Sequence, residues 1–346
     1  MKVTFLRLKK SKFGGAEVYL SRLLSELEKR DFEFEVKHCS APKFLSSWIK
    51  AIWFNLEVCL FKGKKFYFSL DRITCPDIYR AGDGVHKVFI KLENKSLFNP
   101  LHIVYLFIEK RMFKNAQKII AISNMVKRDI INAYEVNPEK IEVIYNGIPL
   151  KEKVSFDDIK EEFGVKREKI LLYIGSGFKR KGVKEALDIV SRLKGDFKFF
   201  VIGKEKNLQR YKDYAKSLGL EKKVVFTGPR TDVDKFYSMA DIFIFPTKYE
   251  PFGNVILEAL NFENVVFTTD MCGGGEILPK DWIIDDKIMY KIQELLDNRE
   301  KLKSLKKQAK EISKNYSIEK NVEKTLKVIY ETLNRTSHMA GRCRNG

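Results

Sequence analysis

The sequence predicts an α/β protein with two doubly wound parallel sheets, each in its own domain. Three observations predict it. Short apolar β-like runs alternate with amphipathic helical stretches through most of the chain, the pattern of repeated strand–helix–strand units. Several of those runs stop at a glycine that is followed closely by basic residues. At 346 residues the chain also exceeds the usual size of a single hydrophobic core. With 44% hydrophobic and 12% aromatic residues it has material for two cores, which excludes a disordered chain.

Taken in order, residues 2–8 alternate like a first strand and lack the apolar core and cleavage site of a secretory leader. Gly14-Gly15-Ala16-Glu17 then leads into an amphipathic helix with Val18, Leu20, Leu23, Leu24 and Leu27 on its apolar side. Further strands are expected at residues 34–37, 65–69, 118–122 and 141–145. Arg80-Ala81-Gly82-Asp83-Gly84-Val85-His86 reads as a glycine-punctuated loop, and Ser123 as the N-cap of a helix. Asn146-Gly147 turns the chain outward, which places a first domain at residues 1–150. A charged linker helix at 156–163 leads to the second strand–helix series, which starts at Ile170 and defines a second domain at 151–315. After Asp285 the pattern is helical, at 287–298 and 301–314. A final amphipathic helix, 318–333, carries Val322, Leu326, Ile329 and Leu333 on one side. This last element is assigned to 316–334, and residues 335–346 read as a disordered tail or cloning scar.

Composition narrows the class of partner. No run of 18 uncharged apolar residues occurs, so no membrane-spanning helix is expected, and without a leader the chain is expected in the cytoplasm. Cys39, Cys59, Cys75, Cys272 and Cys343 are scattered without a C-x-x-C pair, so reduced thiols are expected rather than disulfides or a zinc site. The formal net charge of +19 is spread over both halves. It implies an anionic partner: nucleic acid, an acidic membrane surface or a phosphorylated substrate. A lysine-rich background composition would give the same excess.

The most informative stretch is Glu250-Pro251-Phe252-Gly253-Asn254-Val255-Ile256-Leu257-Glu258, two carboxylates eight residues apart with a glycine between them. It follows Ile242-Phe243-Ile244-Phe245-Pro246, a buried strand ended by proline, and runs into a largely apolar helix. Strand, glycine loop, helix is the geometry that presents free backbone N–H groups to phosphorylated ligands. Were the whole span helical, the carboxylates would sit roughly 12 Å apart at ~1.5 Å rise per residue, about the length of a nucleotide-sugar. Upstream lie three more glycine-ended runs: Tyr173-Ile174-Gly175-Ser176-Gly177-Phe178-Lys179-Arg180-Lys181-Gly182, Phe199-Phe200-Val201-Ile202-Gly203-Lys204-Glu205-Lys206 and Val224-Val225-Phe226-Thr227-Gly228-Pro229-Arg230. Their order and spacing resemble the donor half of the retaining GT-B glycosyltransferases of family 4. The run G-S-x-F-x-R-K-G-V, the E-x7-E and Thr268-Thr269-Asp270-Met271-Cys272-Gly273 look most like the lipopolysaccharide core glucosyltransferases. The family resemblance covers nearly the whole chain; the narrower one rests on a handful of positions.

The resemblance implies a GT-B fold of two Rossmann-like domains, acceptor-binding then donor-binding, with a C-terminal helix that returns to the first. It implies Arg180 and Lys181 as the pair gripping the diphosphate, with Lys206 a second cation. A nucleotide diphosphate gathers charge as the glycosidic bond breaks, so fixed cations there have a physical rationale. By the same match Glu258 accepts from the ribose hydroxyls, and Glu250 with the N–H groups of Phe252, Gly253 and Asn254 holds the transferred sugar. One departure is that many members carry Gly-Arg at the strand end where this chain has Gly175-Ser176. On the first-domain side, Gly14 and Gly15 allow close backbone approach to the diphosphate or the acceptor, and Gly15 is assigned to donor binding. Asp83, which aligns with an aspartate of the core glucosyltransferases, is favoured as base or orienting group over His86, a histidine expected to be solvated. Glu17 is a further candidate to orient the acceptor.

Thr231-Asp232-Val233-Asp234 contains a D-x-D, but at a helix start it reads as capping, so no metal is expected. Residues 86–115 interleave Lys87, Lys91, Lys95, Lys110, Arg111 and Lys114 with aromatic residues, the profile of a segment drawn to anionic lipid, with 103–107 expected to be buried. The expected activity is retaining, metal-independent transfer of a hexose from UDP-glucose to a sugar hydroxyl of a membrane-associated glycan such as the lipopolysaccharide core. No cofactor besides the nucleotide-sugar is expected. The enzyme would lie peripherally on the inner face of the cytoplasmic membrane. Alternatives are a mannosyl- or N-acetylglucosaminyltransferase of the same family, or a basic nucleic-acid-binding protein. The last is disfavoured because no aromatic cluster forms a recognisable nucleic-acid module.

Overall fold

A computed structural model describes residues 2–10 and 15–342, with the side chains of the last helix described as far as Arg335. The chain forms two compact units, one of residues 1–146 with 318–346, the other of residues 147–317.

The first unit runs β1 (Val3–Arg7), α1 (Gly15–Glu28), β2 (Phe34–His38), α2 (Ser47–Leu60), β3 (Phe66–Ser69), β4 (Ile78–Ala81), α3 (His86–Leu92), α4 (Pro100–Asn115), β5 (Lys118–Ala121), α5 (Asn124–Tyr134) and β6 (Ile141–Val143). The strands form one parallel sheet in the order β2-β1-β3-β4-β5-β6. All five residues of β1 are buried, because helices cover both sheet faces and neither face meets water. One face packs Val3 and Phe5 against Leu20, Leu23 and Leu27 of α1. The other packs Leu6 and Tyr67 against Phe54 and Val58 of α2. The order reverses between β1 and β3, so the loops after those strands diverge and open a crevice at the carboxyl edge.

Three sequence readings change in this unit. Arg80 and Ala81 belong to β4, a central strand, rather than to a loop. The charge of Arg80 hid the strand; its guanidinium lies over the Tyr19 ring at 3.4 Å and donates to Asn146 Oδ1 at 2.6 Å, so the buried cation is satisfied. Cys59 and Cys75 are not free thiols but a disulfide, joining the end of α2 to the loop after β3 across a separation of 16 residues. Ile103 and Phe107 are exposed rather than buried, since the inward face of α4 is already filled by His102, Ile108, Glu109, Met112 and Phe113. Ser123, by contrast, caps α5 as expected, accepting from Val126 N–H at 3.1 Å.

The second unit runs α6 (Asp157–Phe163), β7 (Lys169–Ile174), α7 (Val183–Val190), β8 (Phe197–Ile202), α8 (Leu208–Ser217), β9 (Val224–Gly228), α9 (Val233–Met239), β10 (Ile242–Phe245), α10 (Asn254–Asn261), β11 (Val265–Thr268), α11 (Ile288–Asp297) and α12 (Arg299–Ser313). Its parallel sheet has the order β11-β10-β7-β8-β9, so the reversal falls between β7 and β10. The chain then ends in α13 (Ile318–Arg342), whose Val322 and Ile329 complete the core formed by β1 and α1 in the first unit. The helix continues past Leu333, where the sequence pattern stops. Cys343 lies outside the described residues.

Candidate functional site

In the second unit the reversal of strand order between β7 and β10 makes a crevice at their carboxyl ends, the usual ligand position of a doubly wound sheet. The loop after β7 reaches it because of one glycine. Gly182 has φ +78°, and a Cβ there would stand 1.9 Å from the Pro246 carbonyl oxygen, so only glycine lets this loop dock on the segment after β10. Lys248 N–H donates to the Arg180 carbonyl at 2.9 Å and fastens the same junction.

Docking brings together residues far apart in sequence. Arg180 Nη1 donates to Glu250 Oε2 at 3.1 Å and to the Tyr249 carbonyl at 2.7 Å, and Lys181 Nζ lies 3.4 Å from Glu250 Oε2. The three side chains are mostly buried, and one carboxylate faces two cations. Glu250 is held by its own backbone: its N–H donates to the Met271 carbonyl at 3.0 Å and its carbonyl accepts from Gly273 N–H at 2.9 Å. Phe252 is tied to the same strip, its carbonyl accepting from Gly274 N–H at 2.7 Å and from the Cys272 thiol at 3.2 Å. Burial pushes that thiol up to about 12, so it stays protonated and donates. Gly253, φ +82°, is the N-cap position of α10 and Asn254 its first residue. Glu250 is therefore outside the helix while Glu258 lies on it. The helical spacing of the two carboxylates does not apply, because the backbone turns at Gly253. Glu258 accepts from the buried Tyr237 hydroxyl at 3.4 Å. Lys206 is exposed and forms no ion pair among the described residues.

Two residues of this site carry no role in the sequence reading. Glu205 accepts from Phe178 N–H at 2.9 Å and from Asn207 N–H at 3.1 Å, and Ser176 Oγ accepts from Lys204 N–H at 3.0 Å. They lace the loop after β7 to the loop after β8. The signal available was their place one to three residues beyond a strand-ending glycine, where polar side chains meet free backbone donors.

In the first unit the residues at the carboxyl edge form a buried charge network. Arg7, the last residue of β1, donates through Nη2 to Glu17 Oε1 at 2.9 Å and stands 3.0 Å from Asp71 Oδ1. Burial raises the Asp71 carboxyl and Arg7 opposes this. Glu17 is thus engaged within the fold by Arg7. Asp83 is exposed between Gly82 and Gly84, within the electrostatic reach of Arg7. His86 is the residue whose expected setting is wrong. It is buried, opens α3, and places Nε2 3.0 Å from Nδ1 of His102. Burial, then Arg72 and His102, push its imidazole down to about 3, so it is neutral at pH 7. Glu109 on α4, absent from the sequence reading, is fully buried and accepts from Arg72 Nε at 3.0 Å, His86 N–H at 2.8 Å, Lys87 N–H at 3.3 Å and the Tyr134 hydroxyl at 2.7 Å. Its signal was a lone acid in a helix otherwise apolar or basic. Gly15 opens α1, where an added Cβ would meet nothing within 4 Å, and Gly14 lies outside the described residues.

The D-x-D acids are occupied differently from the expectation. Asp232 stands at the N-cap position of α9 without a side-chain cap bond. Its carboxylate holds Arg230 at 2.9 and 2.7 Å, and Asp234 pairs with Lys151 at 2.6 Å. Among the described residues no group of three or more His, Cys, Asp or Glu is placed to hold a metal. No described helix is long and apolar enough to cross a membrane.

Comparison with known proteins matches this arrangement to one family. Residues 155–312 match the model for glycosyl transferases group 1, and residues 84–152 the model for glycosyltransferase family 4. The chain is 26% identical over 212 residues to the lipopolysaccharide glucosyltransferase WaaG of Escherichia coli, covering 57% of this chain and 56% of WaaG. It is 27% identical over 186 residues to the N-acetylgalactosamine-N,N'-diacetylbacillosaminyl-diphospho-undecaprenol 4-alpha-N-acetylgalactosaminyltransferase of Campylobacter jejuni, covering 53% of this chain and 49% of that enzyme. The alignments thus span about half the length of these curated relatives. In fold, a crystal structure of WaaG superposes with a TM-score of 0.77 at 20% identity, covering 94% of this chain and 99% of that one. Anabaena HepE, solved with UDP and glucose, gives 0.74 at 17% identity, covering 96% and 100%. With two parallel sheets of this topology and both family models matched in sequence order, the chain belongs to the GT-B glycosyltransferases of family 4, close to the lipopolysaccharide core enzymes.

Proposed function

We propose that the chain is a retaining, metal-independent hexosyltransferase that moves glucose from UDP-glucose to a sugar hydroxyl of a membrane-attached glycan such as the lipopolysaccharide core. The observation that carries this reading is the convergence of Arg180 and Lys181 on Glu250 at the strand-order reversal of the second sheet. Two cations on one carboxylate leave positive charge uncompensated where the diphosphate of a nucleotide-sugar would sit. As the glycosidic bond breaks, the leaving diphosphate gains charge and both cations stabilise it. Glu250, with its cations drawn to phosphate, is then free to accept from hydroxyls of the transferred sugar, with the N–H groups of Phe252, Gly253 and Asn254 alongside. Glu258 accepts from the ribose, and Lys206 supplies a further cation.

In this reading residues 151–315 bind the donor and residues 1–150 the acceptor, with Asp83 orienting the attacking hydroxyl. His86, neutral and buried, supports the start of α3 and does not exchange protons near pH 7. Retention follows from attack on the face the leaving group departs, with a donor phosphate oxygen taking the proton of the hydroxyl. Arg180 and Lys181 fill the role a divalent cation would have, and both D-x-D acids are committed to ion pairs. UDP as the nucleotide is supported by the fold shared with HepE, solved with UDP and glucose. A lipid-linked acceptor on the inner face of the cytoplasmic membrane is supported by similarity to WaaG and to the undecaprenol-linked enzyme. Mannosyl or N-acetylglucosaminyl transfer is the second reading, because donor sugars differ at few contacts.

A thermal-shift panel of nucleotide-sugars tests this. UDP-glucose at about 100 times its Kd should add roughly 2.7 kcal/mol of apparent stability, and GDP-mannose little. A shift with GDP-mannose alone would move the donor assignment. Retention on heparin and DNA with no response to any nucleotide-sugar would replace the reading with nucleic-acid binding.

A further inference from the structure

Helix α2 is apolar both on the side that meets the sheet and on a side that faces solvent. Its inner side, Ala51, Phe54 and Val58, packs on the sheet. Its outer side carries Trp48, Ile52, Trp53, Leu56 and Leu60, and Phe61 follows; Leu60 and Phe61 are each 72% exposed. Positions 48, 52, 56 and 60 recur every four residues, so they form one stripe along the helix. The only charged residues of α2 are Lys50 and Glu57, and the Glu57 carboxylate is turned to Ser40 N–H and Lys37. Helix α4 packs against α2 and leaves Ile103 and Phe107 uncovered one turn apart, while Phe98, just before α4, is 97% exposed. Single exposed apolar residues are ordinary; a four-position stripe on α2 beside two exposed apolar residues on the helix packed against it marks an interaction surface.

We infer that this face of α2 and α4 is where the first unit enters the headgroup layer of an anionic bilayer. It rests on the proposal that the acceptor is membrane-attached, and it names the surface that meets the membrane. Charge selects the occupant. Lys43, Lys64, Lys91, Lys110 and Arg111 are exposed around these elements, Arg111 lying 3.7 Å from the Phe107 ring centroid. A second copy of the chain would cover the stripe only by setting these cations against their own kind, whereas anionic headgroups pair with them. Two tryptophans on this face suit the water–lipid boundary, where an apolar ring and a polar N–H are both satisfied. The helix is already clamped by the Cys59–Cys75 disulfide and by Asn55 Oδ1, which accepts from Thr74 N–H at 2.6 Å, so the stripe needs no refolding to insert. Lys87, on α3, is exposed but engaged, its Nζ donating to the Ala133 carbonyl at 2.9 Å and lying over the Tyr134 ring.

The chain carries its own probe. Of its three tryptophans, Trp48 and Trp53 lie on this face and Trp282 is buried in the second unit. Titrating the full-length protein with phosphatidylglycerol–phosphatidylcholine vesicles should shift tryptophan emission to the blue and allow quenching by brominated lipid. Both effects should grow with the anionic fraction and fall with salt. The double variant Leu56→Glu, Leu60→Glu should bind such vesicles roughly tenfold or more weakly while keeping the wild-type thermal shift with UDP-glucose, which also shows that it folds. No blue shift and no quenching at any lipid composition, with the UDP-glucose shift intact, overturns this surface and leaves the proposed function standing. Vesicle binding with no response to any nucleotide-sugar does the reverse. A concentration-dependent dimer in sedimentation that is lost in the double variant overturns the inference in favour of a second copy of the chain.

Discussion

One carboxylate, Glu250, holds two cations whose proposed partner in turnover is a phosphate, and the variants at these positions separate their roles. Lys181→Ala should lower turnover by at least ~10²-fold, the order seen when a charge-stabilising group is lost, and near-normal steady-state rates would remove it from the mechanism. Glu250→Ala should abolish transfer while UDP still raises Tm, and Glu258→Ala should weaken UDP itself; wild-type kinetics in both would make the motif structural. His86 adds a pH signature. Burial, Arg72 and His102 lower its imidazole from 6.5 to about 3, so between those values the unfolded chain takes a proton that the folded chain refuses. Stability contributed by this group is present above about 6.5 and declines on acidification, by at most about 1.4 kcal/mol per pH unit. The stability difference between wild type and His86→Gln should therefore shrink from pH 7 to pH 5 in urea melts, and a constant difference would contradict the assignment. Glu109→Ala, which strips a buried Arg72 of its partner, should cost roughly 3–5 kcal/mol in the same melts. At this scale the meeting of Arg180, Lys181 and Glu250 was legible because the spacing of these residues matched a family. Glu109 and the true setting of His86 were not, since burial arises from α4 packing over α3 and leaves no local pattern.

Among elements, the strands and helices of the second unit were the most legible, because runs such as Ile242-Phe243-Ile244-Phe245 are buried on both faces and read as continuous apolar stretches. Strand β4 was hidden by a charge whose satisfaction is tertiary, and the exposure of Ile103 and Phe107 depended on which side of α4 the fold filled first. The Cys59–Cys75 pairing was equally illegible, since it needs α2 and the loop after β3 to meet. The two glycine classes give a contrast at this scale. Gly182→Ala should cost more than about 1 kcal/mol and also lower turnover, because its φ is +78° and Pro246 blocks the added carbon. Gly15→Ala should leave Tm nearly unchanged, having open space and no positive φ. Equal Tm values for the two variants would refute the docking role given to Gly182.

For the molecule as a whole, two domains were legible from the pattern of elements, whereas the return of the last helix to the first was implied only by the family resemblance, because no periodicity says which core a terminal amphipathic helix joins. The second unit is bounded by neighbouring segments: Ile148 N–H donates to the Tyr316 carbonyl at 3.1 Å, and Ile148 bridges to Ser317. Residues 147–317 produced alone should accordingly unfold in one cooperative urea transition, whereas a chain ending at residue 317 should lose the transition of its first unit. Retention of both transitions would show that α13 is dispensable. The same layout sets an order of assembly on the ribosome. The sheet begun at Val3 must wait for Val322 and Ile329, with Phe5, Leu23 and Leu27 lacking their final cover while residues 147–317 are added, roughly 9–35 s at ~5–20 residues per second. Of the two units, the one begun earlier on the ribosome is thus the later to become native, and a nascent chain stalled between residues 147 and 322 presents an open apolar groove to chaperones and to its neighbours on the polysome.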